Sequence, residues 1–264
     1  MKIGIVGLGA VGTAVKQGFE YIENEVVGHD IRLTTKLNDV LDSEIVYICV
    51  GTPSDENGKC YIGAVDETIS NLSSLGYNGI IAIKSTVEPG TTTTYTNLYP
   101  HLKICFVPEF LRERCAYEDF VHNNNILIVG TDDNEVYSKI VESHGTLPVH
   151  KVQIKPIEAE LVKYFSNTYK ALRITFANSF AKIAEEMGGD YDVIKDSFLF
   201  HGIQEGHYLN VNKTFGGYGG MCLPKDVMAM NELVKKHNLD LGIFEFMDKE
   251  NSKFQKKVPK GMRL

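Results

Sequence analysis

Residues 3–12 read Ile3-Gly4-Ile5-Val6-Gly7-Leu8-Gly9-Ala10-Val11-Gly12, an apolar run that enters a Gly-x-Gly-x-x-Gly turn and then a helical pattern. A second apolar run, Val26-Val27-Gly28-His29-Asp30, ends on an acid about 20 residues further on, completing the dinucleotide-binding pattern of a βαβ unit. Gly7 allows the tight turn, Gly9 lets a pyrophosphate approach the backbone, and Gly12 lets the helix pack on the strand. The phosphates then lie at the helix N-terminus. Asp30 is expected to accept hydrogen bonds from the adenosine ribose, which favours NAD over NADP.

Further apolar runs follow at 45–50, 80–83, 104–107 and 126–129, with a short one near Val149, and helical patterns separate them. This alternation predicts an α/β fold, a Rossmann-type doubly wound parallel sheet over residues 1–150. The turns Gly51-Thr52-Pro53 and Lys84-Ser85-Thr86 fall at its carboxyl edge, where ligands bind in open α/β sheets. After the fifth run comes Pro108-Glu109-Phe110-Leu111-Arg112-Glu113. If this stretch is helical, Glu109 and Glu113 share a face, a like-charge pair suited either to a solvated surface or to a site.

The pattern changes at Lys155-Pro156, and residues 151–264 are expected to form an all-helical second domain. Residues 157–187 contain no Pro or Gly, and Leu161, Phe165, Tyr169, Leu172, Phe176, Phe180 and Ile183 recur at spacings of three and four. A helix of about 30 residues is roughly 45 Å long and suits a core shared between two subunits. Lys163 and Asn167 lie one turn apart on another face.

In Gly216-Gly217-Tyr218-Gly219-Gly220-Met221-Cys222-Leu223-Pro224-Lys225-Asp226, a glycine run delivers one cysteine to a helix start marked by Pro224. The unsatisfied amides and positive dipole end of a helix N-terminus favour the thiolate, which attacks electrophiles. Asp226, four residues on, shares the helical face.

Composition bounds the partners. With 43% hydrophobic and 23% charged residues the chain has an ordinary globular balance, and a net charge of −7 argues against nucleic-acid binding. No apolar run approaches the roughly 20 residues that cross a bilayer. Five cysteines without a Cys-x-x-Cys pair, and an N-terminus running directly into a strand, suit a reduced, cytoplasmic protein without a metal site.

The order of the Gly-x-Gly-x-x-Gly turn, Val50-Gly51-Thr52-Pro53, Lys84-Ser85-Thr86-Val87, Pro108-Glu109-Phe110-Leu111-Arg112-Glu113, Lys163-Tyr164-x-x-Asn167 and Gly219-Gly220-x-Cys222-Leu223-Pro224-Lys225-Asp226 resembles the UDP-glucose/GDP-mannose dehydrogenase family. That resemblance implies a homodimer that oxidises the C6 alcohol of a nucleotide sugar, UDP-glucose foremost, to the carboxylate with two NAD⁺, through a cysteine thioester. It implies Cys222 as nucleophile, Lys163 and Asn167 as oxyanion stabilisers, and Thr86 and Asp226 as groups that position water or relay protons. Glu113 is implied as general base, and Glu109 in support. Val11, Thr52 and Thr86 join Gly7, Gly9, Gly12 and Asp30 as cofactor contacts. Glu109, Phe110, Leu111, Lys163, Asn167, Tyr208, Phe215 and Gly219 are the implied substrate contacts.

Three features depart from the family pattern. Its third, C-terminal α/β domain is not represented in these 264 residues. Ile203-Gln204-Glu205-Gly206-His207-Tyr208 stands where an Arg-Ile-Gly usually lies, and the glycine loop is one residue longer. Loss of an arginine–phosphate contact costs about 1.5–3 kcal/mol. Two other readings therefore accompany the first: a catalytically impaired relative that binds NAD or a full-length partner, and a simple two-electron alcohol or hydroxyacid dehydrogenase.

Overall fold

A computed structural model describes residues 1–56, 58–200, 207–211 and 216–254. The elements, in order, are β1 (Lys2–Val6), α1 (Ala10–Tyr21), β2 (Glu25–His29), β3 (Ile45–Ile48), α2 (Gly63–Ser74), β4 (Ile80–Ile83), α3 (Thr91–Leu98) and β5 (Lys103–Phe106). Then follow α4 (Ala116–Val121), β6 (Ile126–Gly130), α5 (Asn134–His144), β7 (His150–Ile154), α6 (Pro156–Glu186), α7 (Tyr191–Phe200), α8 (Leu223–Lys236) and α9 (Ile243–Phe254). The chain divides into two compact units, Met1–Thr52 with Tyr61–Lys163, and Pro53–Cys60 with Tyr164–Leu264.

The first unit is a Rossmann-like seven-stranded sheet in the order β2-β1-β3-β4-β5-β6-β7. Its inner strands β1, β3, β4, β5 and β6 are mostly apolar and buried because both faces are covered, whereas the edge strands β2 and β7 are mixed and partly exposed. Val46, Ile48, Ile81, Ile83 and Phe106 pack into one core, and their alternate neighbours Ile45, Tyr47, Ile80, Ala82 and Cys105 pack into the other. The sheet is not wholly parallel, as the sequence pattern had suggested. β5 and β6 meet antiparallel through a single pair, Phe106 and Gly130, and β6 and β7 then run parallel to each other. Between β5 and β6 the chain forms a short 3-10 turn and the six-residue α4, in place of the long crossover helix that a parallel neighbour needs.

Several helix ends are set by local chemistry. Asp133 caps α5 by accepting from the amides of Glu135 and Val136 at 2.8 and 3.2 Å. Pro156 opens α6, where its missing N–H costs nothing, and Gly188 at φ +73° ends it. The expected apolar stripe of α6 is present, and it faces outward. Phe165 and Phe176 are 74% and 58% exposed, whereas Ala171, Ala177 and Ala184 are buried. In the second unit Ala171, Tyr218, Val227 and Met247 form the core.

Candidate active site

In the first unit the glycine turn follows β1, beside the start of the β3 turn. Gly7 adopts φ +92°, and a Cβ there would lie 2.8 Å from the Cys49 carbonyl, so only glycine fits. A Cβ at Gly12 would lie 1.8 Å from the Gly7 oxygen, which is the measure of how closely α1 is packed on its strand. The position at Gly9 is open, with no atom within 4 Å. α1 begins at Gly9 with neither a side-chain cap nor an acid in its first turn. Its N-terminal amides are thus left facing an open cradle, an arrangement that fits a pyrophosphate. Val11 is half-buried in that first turn.

Asp30 is buried just beyond β2. Its Oδ2 accepts from the Leu8 amide of the glycine turn and from Arg32 Nη2, at 2.8 and 2.9 Å. Its Oδ1 accepts from the Arg32 amide and Nε, both at 2.9 Å. The Arg32 guanidinium, with these two amides, holds the carboxyl well below the usual range despite its burial. These four bonds engage both carboxylate oxygens, so a ribose hydroxyl would compete with the exposed Arg32 for Asp30. Neither Arg32 nor this competition was foreseen from the sequence, although an arginine two residues past the acid is visible there.

At the carboxyl edge, Ser85 Oγ donates to the Val50 carbonyl at 2.7 Å and ties the turn after β4 to the turn after β3. Thr52 and Thr86 are both buried at this edge. The segment after β5 is not the helix that would align Glu109 with Glu113. Glu109 Oε1 accepts from the Leu111 amide at 2.8 Å, and the Arg112 amide and guanidinium bind Asp119, so local and tertiary bonds take the place of helical ones. Glu109 is buried and Glu113 exposed, in a 3-10 turn spanning Glu113–Cys115. Lys163 Nζ donates to the Glu109 carbonyl at 2.5 Å, lies 3.7 Å from its Oε1, and stands over the Phe110 ring. Lys84 is a second buried cation beside this turn, 3.5 Å from the Val107 carbonyl, and burial lowers its pKa. Lys84, Glu109, Phe110, Leu111 and His144 line one small cavity.

In the second unit, Cys222 is the exposed N-cap residue of α8, with Pro224 in the first turn. Its carbonyl accepts from the Asp226 amide at 3.1 Å. The Asp226 side chain turns inward and is 1% exposed. It accepts from Asn167 Nδ2 at 2.5 Å and from Lys225 Nζ at 2.6 Å. Asn167 and Asp226, distant in sequence, are therefore brought together. Gly216 and Gly220 adopt positive φ, and Gly219 is half-buried between Tyr218 and Gly220. The Tyr208 ring packs against the Arg173 guanidinium at 4.8 Å and Lys170 Nζ at 5.8 Å, and Arg173 also covers Tyr169. Phe215 lies outside the described residues. Among the described residues there is no cluster of metal-ligating side chains, and no helix is long and apolar enough to cross a membrane.

A Rossmann-like sheet with an open glycine turn is thus joined in one chain to a helical unit bearing an exposed N-cap cysteine, the arrangement of a two-domain dinucleotide-binding protein. The sequence pattern of the UDP-glucose/GDP-mannose dehydrogenase family matches twice, its NAD binding domain over residues 31–145 and its central domain over residues 157–253. The chain belongs to this family, and its cofactor is NAD. It is 32% identical over 248 residues to a UDP-glucose 6-dehydrogenase of Rickettsia felis, covering 88% of this chain and 53% of that protein. A GDP-mannose 6-dehydrogenase of Pseudomonas aeruginosa is 27% identical over 87% of this chain and 63% of its own length. The structure of a UDP-glucose dehydrogenase from Pyrobaculum islandicum superposes with a TM-score of 0.87 at 25% identity, over 96% of this chain and 68% of that one. The chain thus spans about half the length of the first of these relatives.

Proposed function

We propose that the protein oxidises the C6 alcohol of a nucleotide sugar to the carboxylate in two NAD-dependent steps, with UDP-glucose the first candidate. The observation that carries this reading is the exposed Cys222 at the start of α8, backed by the buried Asp226–Asn167 pair, within the family's central domain. Bound NAD⁺ supplies a hydride acceptor for each oxidation. Gly7, Gly9, Gly12 and the α1 amides hold its pyrophosphate, with Val11, Thr52 and Thr86 as further contacts and Asp30 reading its ribose.

After the first oxidation, the Cys222 thiolate adds to the aldehyde carbon and the carbonyl oxygen takes up a proton, giving a thiohemiacetal. Loss of a hydride and a proton leaves a thioester. Water then attacks, releasing the carboxylate and returning the thiol. Lys163 and Asn167 stabilise the oxyanion by charge and hydrogen bond. Asp226 and Thr86 order water, Glu113 takes its proton, and Glu109 supports Lys163. Phe110, Leu111, Tyr208, Phe215 and Gly219 contact the sugar nucleotide.

The test is NADH stoichiometry with UDP-glucose and GDP-mannose. Two NADH per acid product are expected, and Cys222→Ser is expected to stop near the aldehyde. One NADH per product with an unaffected Cys222→Ser variant points instead to a two-electron dehydrogenase. NAD binding without turnover on either substrate points to a non-catalytic relative. The outward stripe of α6 supports a homodimer, and the protein's proposed location is the cytoplasm. A monomer in light scattering at assay concentration would sink that assembly.

A further inference from the structure

The glycine run leading to Cys222 is held by a side chain far from it in sequence. The Tyr218 amide donates to Asn251 Oδ1 at 2.7 Å, and Asn251 Nδ2 donates back to the Tyr218 carbonyl at 2.9 Å. Asn251 sits on α9 and is 2% exposed, so both ends of a buried carboxamide are committed to one residue's backbone. A Cβ on Gly217 would lie 2.2 Å from Asn251 Oδ1, so glycine is what lets the backbone reach this clasp. The Tyr218 ring is 1% exposed and packs with Ala171, Val227 and Met247. Past it, Gly219 and Gly220 carry no side chain, and Met221 and Cys222 are exposed. From Tyr218 to the start of α8 the chain passes through two glycines, so its entry angle follows where Tyr218 is fixed.

We propose that Asn251 is a positioning residue. By clasping the Tyr218 backbone it sets the path of the glycine run and keeps Cys222 at the N-terminus of α8. This rests on the reading of Cys222 as the nucleophile and adds α9 to the parts that serve it. Two chemical consequences follow. Asp at position 251 keeps the shape but loses the donor, setting an oxygen against the Tyr218 carbonyl. Ala removes both bonds. In either variant the start of α8 is less firmly placed, the exposed thiol averages over more positions about the positive end of the helix, and its reactivity profile moves to higher pH.

The experiment is alkylation of Cys222 by iodoacetamide from pH 6 to 10, followed peptide by peptide by mass spectrometry, which needs no turnover. Asn251→Asp and Asn251→Ala are expected to slow alkylation at pH 7 by about two- to fivefold and to shift the profile upward. Met247→Ala, which loosens the same core but leaves the clasp, is expected to keep the wild-type profile. Unchanged profiles in the Asn251 variants, or an equal shift in Met247→Ala, would overturn the proposal. Hydrogen exchange on the unaltered protein tests it without any variant. The Tyr218 amide is expected to be protected like those of α8, and exchange as fast as at Gly219 and Gly220 would refute the clasp. A shifted profile in a protein that shows no turnover would leave the clasp standing and remove only the reaction.

Discussion

Alanine at the second and third glycines of the NAD turn should separate folding from binding. A Cβ at Gly12 would lie 1.8 Å from the Gly7 oxygen, 2.9 Å from the Gly7 carbonyl carbon and 3.2 Å from Cys49 Cβ. The first two are backbone atoms at the end of a central strand, so α1 must withdraw by roughly 1.5 Å in an interior packed like a crystal. Overpacking of this kind costs about 3 kcal/mol, which in a unit of this size lowers Tm by about 6–12 °C. Gly9 presents the opposite case: φ is −74° and nothing lies within 4 Å of its Cβ position. Gly9→Ala should leave the stability of the NAD-free protein within about 0.5 kcal/mol. The added methyl instead occupies the cradle, and NAD affinity should fall at least about tenfold, or about 1.4 kcal/mol. Thermal unfolding without NAD and calorimetric titration with NAD read the two effects independently. A Gly12→Ala protein that melts like the parent, or a Gly9→Ala protein that binds NAD like the parent, would refute the assignment of the turn.

Two further expectations concern buried ionisable groups. Glu160 is fully buried, and its carboxylate accepts from the Gly90 amide at 2.5 Å and from the Thr92 amide and hydroxyl at 2.8 and 2.6 Å, capping α3 from α6. Glu160→Gln sets an amide NH₂ against one of these donors and should cost about 1–3 kcal/mol in urea unfolding. Burial outweighs the three donors and raises the Glu160 pKa, so its proton-linked stability is full below the unfolded value of 4.5 and is lost as pH rises through the higher folded value. The Gln variant should lack that dependence. His144 packs between Phe19, Phe120 and Tyr47, and burial pushes its pKa from 6.5 down to about 3. Here the stability of the neutral ring is present above pH 6.5 and is lost as pH falls toward 3, so His144→Phe should flatten stability across that range. An acid limb as steep as the parent's would count against it.

The inner strands were legible because a sheet covered on both faces needs apolar runs there, and the glycine turn because its glycines meet separate steric demands. Helix α6 was legible from its spacing of three and four. Strand direction was not: residues 126–129 read the same whether β6 runs with β5 or against it. Residues 108–113 look helical until the Asp119 partner of Arg112 is known, and that contact forms only in the fold. In the candidate site, Cys222 and Asp226 could be placed on one helix start, but the opposite exposure of their side chains depends on Asn167. The Glu160 cap of α3 and the Asn251 clasp join residues 68 and 33 positions apart, beyond the reach of local patterns.

The antiparallel junction has a consequence for how the first unit opens. Only the Phe106–Gly130 pair joins β5 to β6, whereas β6 and β7 pair along five residues each. A Cβ on Gly130 would meet Ala159 Cβ at 2.6 Å, so the start of α6 presses on this seam from the side. Cooperative unfolding follows contact density. The sheet should therefore come apart as two foldons, with β6 and β7 exchanging their amides as one block and β1 to β5 holding theirs longer, so that the glycine turn sits in the block that opens last.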